Sequence, residues 1–292
     1  AGYAIQKHDI FTRLPFTAPS SSSSYLEKKY FEYFEGRVYT AHQSYLTITQ
    51  EKGKGFLTFN PSRWKDFFSR VDKAVDLLKG GGFNPRFLGK EELSLFLHRF
   101  FAINFRERSF SLDNIKAGES HLSMGSRIIR ATSLIDIDEM DLPAQIYPVA
   151  VASLNGTDYT EDLVGFLADF SDADDIIYHQ CIIIPNQKVE ASKLASKRNR
   201  HRSLPSAANM AAESDIIAVE NEVEQSNKLY IYAHYSILTA GKSAAVSKTI
   251  NNIEAQFAKR GIRLSRSSYN QLELFLSAMP GCGYKTNPTY DR

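Results

Sequence analysis

The chain has 292 residues, of which 43% are hydrophobic and 23% are charged, and its formal net charge at pH 7 is +2. This composition suits one large globular domain or two modest lobes, and the near-neutral charge argues against a protein dedicated to nucleic acid. The two cysteines, Cys181 and Cys282, lie too far apart to form a disulfide framework, and no apolar run approaches the ~20 residues that span a bilayer.

The chain opens with a segment that predicts an extended arm. The stretch "RLPFTAPSSSSS" has two prolines and a serine run, which favour a loop over packed structure. We therefore expect residues 1–24 to be an extended N-terminal arm. A short helix is predicted from Tyr25, where Ser24 can cap the first turn.

The first half continues with a hairpin and two helices. "YLTIT" and "GFLTF" alternate apolar and polar residues on either side of "EKGKG", which predicts a β-hairpin over 45–59. "NPSRWKDFFSRVDKAVDLLKGGG" predicts a helix that is capped by Asn60, starts at Pro61 and ends at Gly80. "KEELSLFLHRFFAIN" predicts another helix after a short strand near Phe87.

The later part of the chain alternates strands and helices. The sequence predicts strands over 127–135, 175–185 and 227–238, a helical region over 187–227 that breaks near Ser203–Pro205, a helix over 242–260 and a final helix near the end. We predict an α/β (α+β) fold with two lobes of mixed sheets and packed helices, 25–150 and 151–292. No P-loop domain is expected within the chain.

Two near matches to a phosphate-binding P-loop fail on chemistry. In "SILTAGKSAAVSK", Ser236 stands where the first glycine should be, and apolar residues fill the phosphate cradle. In "MPGCGYKTNP", Tyr284 separates glycine from Lys285 and no helix follows. We interpret Gly241 as a strand-to-helix turn and Gly281 as a helix-ending turn.

Possible metal ligands are sparse. His179 and Cys181 share one face of a predicted strand and His234 lies on another, which could supply three zinc ligands. No CxxC is near, so we interpret them as core residues. Two acidic clusters lack calcium-loop spacing and fit solvated turns, namely Asp136, Asp138, Glu139 and Asp141, and Asp172, Asp174 and Asp175.

One basic run stands out. "SKLASKRNRHR" (192–202) can meet nucleic acid, an anionic membrane or an acidic partner, although a solvated helix end is the commoner explanation. No aromatic residue is interleaved, so base stacking is not suggested. We treat the cations of this run as a candidate docking patch, formed by Lys193, Lys197, Arg198, Arg200 and Arg202.

The order of several segments resembles the N-terminal half of the TraG-type conjugation ATPases of Bacteroidetes conjugative transposons. Those proteins are similar to the large ATPase of type IV secretion systems. The resemblance rests on "AIQKHDIF" (4–11), "YFEYFEGRVYTAHQSYLTIT" (30–49), "FSLDNIKAGESHLSMGSRIIRATSL" (110–134) followed by "DLPAQI", "YHQCIII" (178–184) and "FLSAMPG" (275–281).

The resemblance implies a non-catalytic chain. In that family the true P-loop lies downstream of the "PG" segment, in a separate ATPase domain. We therefore expect a fragment of a longer protein, with no enzymatic activity, catalytic residue, cofactor or metal of its own. The full-length protein would resemble an ATPase.

The resemblance also implies partners and a location. The expected role is docking and assembly of a conjugation ATPase in conjugative DNA transfer. The implied partners are other components of the mating or secretion channel and further copies of the chain, with no specific nucleic acid. We expect a cytoplasmic protein at the inner face of the inner membrane, peripheral to it through partners.

Two other hypotheses stay open. One is a nucleic-acid-binding module that uses the 193–202 run, which a salt-dependent affinity for DNA would favour. The other is an independent nucleotide-binding enzyme that uses Gly241–Ser243. A Walker motif further along the full-length protein would argue against this second hypothesis.

Overall fold

The computed structural model describes residues 3–17, 24–50, 61–106, 115–134, 165–170, 172–204, 206–226, 228–259, 264–266 and 268–282. Within these ranges it has seven α-helices and one eight-stranded antiparallel sheet. The predicted mixed α/β class is confirmed, and the described residues contain no P-loop.

The strands follow one another in the sheet in the order β2-β1-β6-β7-β5-β4-β3, and β8 pairs with β5. In the β5–β7 pair, Ile128 lies opposite Gly241 and Ser133 lies opposite Ser236. The eight strands are β1 (Tyr3–Pro15), β2 (Val38–Gln50), β3 (Lys116–Ala117), β4 (Leu122–Met124), β5 (Arg127–Leu134), β6 (Asp175–Ile184), β7 (Tyr232–Gly241) and β8 (Leu264–Ser265).

Local signals account for most helix ends. Ser24 and Glu27 form a capping box at the start of the first helix, as Ser24 predicted. After Gly80, the N–H of Phe83 bonds the carbonyl of Leu78, a Schellman end in which Gly82 takes a φ of +85°. The helices are α1 (Tyr25–Phe34), α2 (Pro61–Gly80), α3 (Lys90–Ala102), α4 (Gln187–Ser203), α5 (Ala207–Ser226), α6 (Ser243–Lys259) and α7 (Gln271–Ala278).

Several predictions need correction. Tyr3–Pro15 is not a loose arm, because it pairs within the sheet and buries Ile10 and Phe11. No strand lies near Phe87 in the described chain. β7 begins later than predicted because the backbone of Tyr230 bonds the side chain of Gln187 instead of a neighbouring strand. The hairpin strand at 55–59 and the cap Asn60 lie outside the described residues.

The chain divides into two compact units. One comprises Ala1–Gln6, Thr47–Phe87 and Cys181–Ala233, and the other comprises Lys7–Leu46, Leu88–Gln180 and His234–Arg292. Each unit is therefore assembled from segments distant in sequence. The lobe boundaries expected from the sequence, 25–150 and 151–292, stay a prediction.

The second unit contains two apolar clusters. One centres on Phe100 and Phe275, and the other on Leu167 and Phe257. Burial of aromatic and aliphatic surface of this kind is the main source of stability in a globular unit.

Three buried histidines of the second unit lie side by side, one on each of the adjacent strands β1, β6 and β7. The rings of His8 and His179 stack with centroids 4.9 Å apart, and His234 lies 6.4 Å from His179. His8 Nε2 lies 2.6 Å from the carbonyl of Ala278, and His179 Nδ1 lies 3.1 Å from Ser236 Oγ. Burial lowers the pKa of His8 and of His234 to about 4, and burial with the two neighbouring rings lowers the pKa of His179. The rings are therefore neutral near pH 7.

The isoleucine run of β6 gives a first test of the packing. The unbroken run Ile182–Ile184 predicts a central strand that is covered on both faces. β6 does lie between β1 and β7. Ile183 is 1% exposed, whereas Ile182 and Ile184 are only half-buried. The face of Ile182 and Ile184 is therefore covered only in part. Full cover on both faces is typical of parallel sheets, whereas this sheet is antiparallel.

We predict that Ile183→Ala lowers the free energy of unfolding by roughly 2–5 kcal/mol, because it removes fully buried methyl groups and leaves a cavity. Urea denaturation followed by circular dichroism measures the change. Ile182→Ala on the half-buried face is the matched control and should cost less. Equal urea midpoints for the two variants would contradict this assignment of faces.

The three buried histidines predict that the stability of the fold depends on pH. The folded pKa of His234 is about 4 and the unfolded value is 6.5, so the unfolded state binds the extra proton between them. The free energy of unfolding is therefore highest above pH 6.5, where His234 is neutral in both states, and it decreases as the pH falls towards 4. Neither ring nitrogen of His234 has a hydrogen-bond partner among the described residues, so His234→Leu removes the titration without breaking a bond.

Between about pH 7 and pH 4, His234→Leu should lose less stability than the wild type, by up to about 1.4 kcal/mol for each pH unit that separates the folded from the unfolded pKa of His234. Urea midpoints measured across this range give the comparison. His98→Leu, which changes an exposed histidine of α3, should keep the wild-type dependence. A His234→Leu curve parallel to the wild-type curve would show that His234 titrates normally.

Candidate docking surface

A helical hairpin, α4 and α5, connects β6 to β7. The side chain of Asn186 caps α4 by accepting from the N–H groups of Lys188 and Val189, and Ser206 Oγ accepts from the N–H of Asn209 at the start of α5. The helical region therefore breaks between 203 and 207, as predicted.

Polar side-chain pairs link the two helices. Arg198 on α4 forms an ion pair with Glu220 on α5, and His201 Nδ1 lies 2.9 Å from Asn209 Oδ1. These pairs define the side of each helix that faces the other. No residue of α4 or α5 is buried, so the hairpin exposes most of its surface.

The packing of α5 against α4 places the cations of the predicted docking patch on different sides of α4. Lys193, Lys197 and Arg200 line an open depression on α4, whereas Arg198 turns towards α5. Arg202 is exposed near the end of α4 but does not line the depression. The lining residues are Lys188, Val189, Ser192, Lys193, Ser196, Lys197 and Arg200.

Sequence reasoning missed Lys188. It lies outside the dense run, but the helical repeat places it beside Ser192 on the same side of α4. We call Lys188, Lys193, Lys197 and Arg200 the basic stripe. Lys193 pairs with Glu190 at 2.8 Å, and the other three have no acidic partner among the described residues. The stripe therefore presents uncompensated positive charge.

The facing helix has the opposite charge. α4 carries six basic residues and one acidic residue, whereas α5 carries five acidic residues and no basic residue. Only Glu220 of α5 pairs with α4 in the described chain, and Glu222 pairs with Lys228. The charges of the hairpin are thus separated between its helices.

The turn at Gly241 is not a phosphate cradle. The residues Ser236–Ala240 are buried in β7, as the apolar run predicted. Gly241 has a φ of +152°, and a Cβ there would lie 3.4 Å from the carboxylate Oδ2 of Asp174. An anion therefore already faces the turn where a phosphate would have to bind.

The second near match to a P-loop, "MPGCGYKTNP", contains a helix-ending turn at Gly281, as predicted. Gly281 has a φ of +84°, just beyond the end of α7, and the N–H of Cys282 bonds the carbonyl of Met279. Gly283 to Lys285 lie outside the described residues.

The proposed zinc ligands are core residues. His179, Cys181 and His234 are all buried, and burial raises the pKa of Cys181 to about 12. Within the described part of the chain, no group of three His, Cys, Asp or Glu side chains is arranged to hold a metal. Asp136, Asp138, Glu139 and Asp141 lie outside it.

The second acidic cluster is structural. Asp172 pairs with Lys248 at 3.0 Å, and Asp174 lies 3.5 Å from Arg106 and from Arg127. Asp175 is completely buried against Arg127 at 3.0 Å. Burial raises the pKa of Asp175 to about 6, against the opposing effect of Arg127.

A Ser, His and Asp cluster on β1 and β2 was not foreseen. The hydroxyl of Ser44 donates to Asp9 Oδ1, and His42 Nε2 lies 3.2 Å from the same oxygen. In a catalytic triad the histidine stands between the other two groups. Here both converge on the carboxylate, and with Lys7 they satisfy a buried anion. Its parts are 35 residues apart, so no local signal could have found it.

No helix of the described residues combines the length and the apolar character needed to cross a membrane.

No curated protein matches the chain. The family model described as TraC protein matches residues 78–282, more than half of the chain, and includes the α4–α5 hairpin. The predicted connection with type IV secretion and conjugation is thereby confirmed. The chain belongs to the TraC protein family, a family of type IV secretion and conjugation.

Proposed function

We propose that the chain is the N-terminal docking and assembly domain of a TraG-type ATPase of a Bacteroidetes conjugative transposon. It docks the motor onto other components of the mating channel during conjugative DNA transfer. The observation that carries this proposal is the basic stripe, an exposed and largely uncompensated row of cations on α4, a helix with no buried residue.

The stripe suits an acidic protein surface. Lys193, Lys197 and Arg200 follow one another at i, i+4 and i+7 along one side of α4, a spacing that a second helix can match. Small side chains, Ser192 and Ser196, lie between them and let a partner approach closely. Charge complementarity of this kind gives orientation and specificity more than affinity.

DNA fits the stripe less well. α4 has no aromatic residue for base stacking, and the acidic helix α5 lies beside it. The charges of the two helices cancel, which weakens attraction to a polyanion. We expect DNA affinity only in the nonspecific range, about 10⁻⁴ to 10⁻⁶ M.

Within this proposal the chain has no enzymatic activity, cofactor or metal of its own. ATP hydrolysis belongs to a separate domain of the full-length protein. The chain works at the cytoplasmic face of the inner membrane, held there by its partners.

The test is transfer frequency in a donor whose own copy of the gene is deleted and replaced. We predict that Lys193→Glu, Lys197→Glu and Arg200→Glu together lower transfer about tenfold or more, because like charges would then face the acidic partner. The matched control reverses three exposed lysines of α2, Lys65→Glu, Lys73→Glu and Lys79→Glu, and should transfer normally. Equal transfer by the two variants at equal protein level would refute the docking role of the stripe.

A DNA titration separates the nucleic-acid alternative. Duplex and single-stranded DNA are titrated near 0.15 M salt with the wild type and with the Lys197→Ala, Arg198→Ala, Arg200→Ala and Arg202→Ala variant. We expect weak binding in both. Submicromolar binding that the variant loses would favour the nucleic-acid module.

The turn at Gly241 predicts that the isolated chain does not bind Mg-ATP at millimolar concentration. The Asp174 carboxylate opposes a phosphate there, and the preceding residues are held in a strand. Isothermal titration calorimetry of the wild type and Lys242→Ala makes the comparison. Heat of binding that disappears in Lys242→Ala would favour the hypothesis of an independent nucleotide-binding enzyme over the docking role.

A further inference from the structure

An arginine of β5 lies where the backbone pairing of that strand is interrupted. On one edge of β5, β4 pairs with 127–129 and β8 pairs with 133–134. Between these two strands, the side-chain amide of Gln271 accepts from the N–H of Ala131 and donates to the carbonyl of the same residue. Arg130 is the neighbour of this clamped residue, so its backbone is held in place without a facing strand.

The same glutamine holds a second arginine near the first. Gln271 Nε2 also donates to the carbonyl of Arg266 at 2.9 Å, and the pairing of β8 with β5 fixes the residues just before Arg266. Burial and the nearby charge of Arg266 lower the pKa of Arg130, whereas Glu254 acts in the opposite direction. Two like charges are therefore kept close by hydrogen bonds of the fold, despite their repulsion.

Only one of the two guanidinium groups has an acidic partner. Glu254 on α6 binds Arg266 with both carboxylate oxygens, at 2.6 Å to Nε and 2.5 Å to Nη2. Asn251 Oδ1 also accepts from Nη2, at 2.8 Å. Arg130 forms no ion pair among the described residues, and its buried Nε has no hydrogen-bond partner there. Two cations and one anion leave a single positive charge without a counter-ion.

An unsatisfied hydroxyl lies on the same face as Arg130. Ile129 and Ala131 belong to the apolar cluster around Phe100, so Arg130 points to the opposite face, against which α6 packs. Its partner across the β5–β7 pair is Thr239, which is completely buried and whose Oγ1 has no hydrogen-bond partner in the described chain. Opposite residues of a strand pair have Cβ atoms about 5 Å apart. The Thr239 hydroxyl is therefore a second free donor close to the buried Nε.

We propose that Arg130 and Arg266 form a binding site for a carboxylate group, in which Arg130 is the free fork. A guanidinium group binds a carboxylate through two parallel N–H donors, and Arg266 with Glu254 forms such a pair at this place. One negative charge neutralises the site, whereas a phosphate dianion would leave surplus negative charge beside Glu254. The site belongs to the second unit and the basic stripe to the first, so this inference does not depend on the docking function.

NMR of the 292-residue chain with ¹⁵N-labelled arginine tests the inference. The probe is propionate, a simple carboxylate with one negative charge. We predict that propionate shifts the Nε–Hε resonance of Arg130, which is the resonance missing from Arg130→Gln, and that sodium chloride at equal ionic strength does not.

The affinity of each variant is followed on the Nε–Hε resonance of Arg266. Arg130→Gln should lower the affinity for propionate about tenfold or more, because a hydrogen-bonded charged partner is lost. Arg130→Lys keeps the charge but loses the fork, so it should also bind more weakly. The matched control is Lys197→Gln, which removes an exposed cation of α4 and should bind propionate like the wild type.

The stability of the free protein gives a second readout. Arg130→Gln removes a cation that both burial and Arg266 disfavour, so without ligand the variant should have a higher urea midpoint than the wild type. Propionate should raise the midpoint of the wild type and leave that of the variant unchanged, because only the wild type binds it. Circular dichroism follows both transitions. A purely structural arginine predicts the reverse order of midpoints in the absence of ligand.

A peptide arm identifies the source of the carboxylate. A hexaglutamate peptide that binds about tenfold more tightly than propionate would assign the site to an acidic polypeptide segment, and equal affinities would assign it to a small carboxylate. Three results would overturn the inference. They are an Arg130 resonance that propionate does not shift, an Arg130→Gln variant that binds propionate like the wild type, and inorganic phosphate that binds more tightly than propionate.

Discussion

The carboxylate of Asp175 holds the larger unit together. It is completely buried, and it accepts hydrogen bonds from the Thr12 hydroxyl, the Phe105 N–H and the Arg127 guanidinium. These donors come from β1, from the segment after α3 and from β5, which are distant in sequence. A buried charge that loses its partners is destabilising by several kcal/mol. Moving any of the three segments would take a donor away from that buried charge, so the central strands and the end of α3 are fixed together.

The α4–α5 hairpin is not needed to complete this sheet. β6 and β7 are antiparallel neighbours, and a turn of a few residues would be enough to join them. The chain instead places two helices between Ile184 and Tyr232, and none of their residues is buried. Helices of this kind do not add to the hydrophobic core. Their length and charge are therefore better explained by contacts outside the chain than by the stability of the fold.

Features set by neighbouring residues were predictable, and features set by distant ones were not. The end of α2 at Gly80, the break between α4 and α5 and the turn at Gly241 each follow from glycine, proline or capping residues in the sequence. The pairing of Tyr3–Pro15 within the sheet and the cluster around Asp9 depend on partners far along the chain, which composition and periodicity do not reveal. For the candidate site, the basic run identified the helix, but its division into inner and outer cations required the position of α5. Lys188 could have been found by applying the helical repeat.

The separation of charge within the hairpin limits what it can bind. A helix with the net charge of α4 alone would attract any polyanion, including the DNA that a conjugation system moves. The neighbouring helix α5 cancels that charge within a short distance, and beyond about 8 Å physiological salt screens what is left. Only a partner that approaches closely, with acidic groups at the spacing of the stripe, then gains from the interaction. The hairpin thus favours a matched protein surface over a general polyanion.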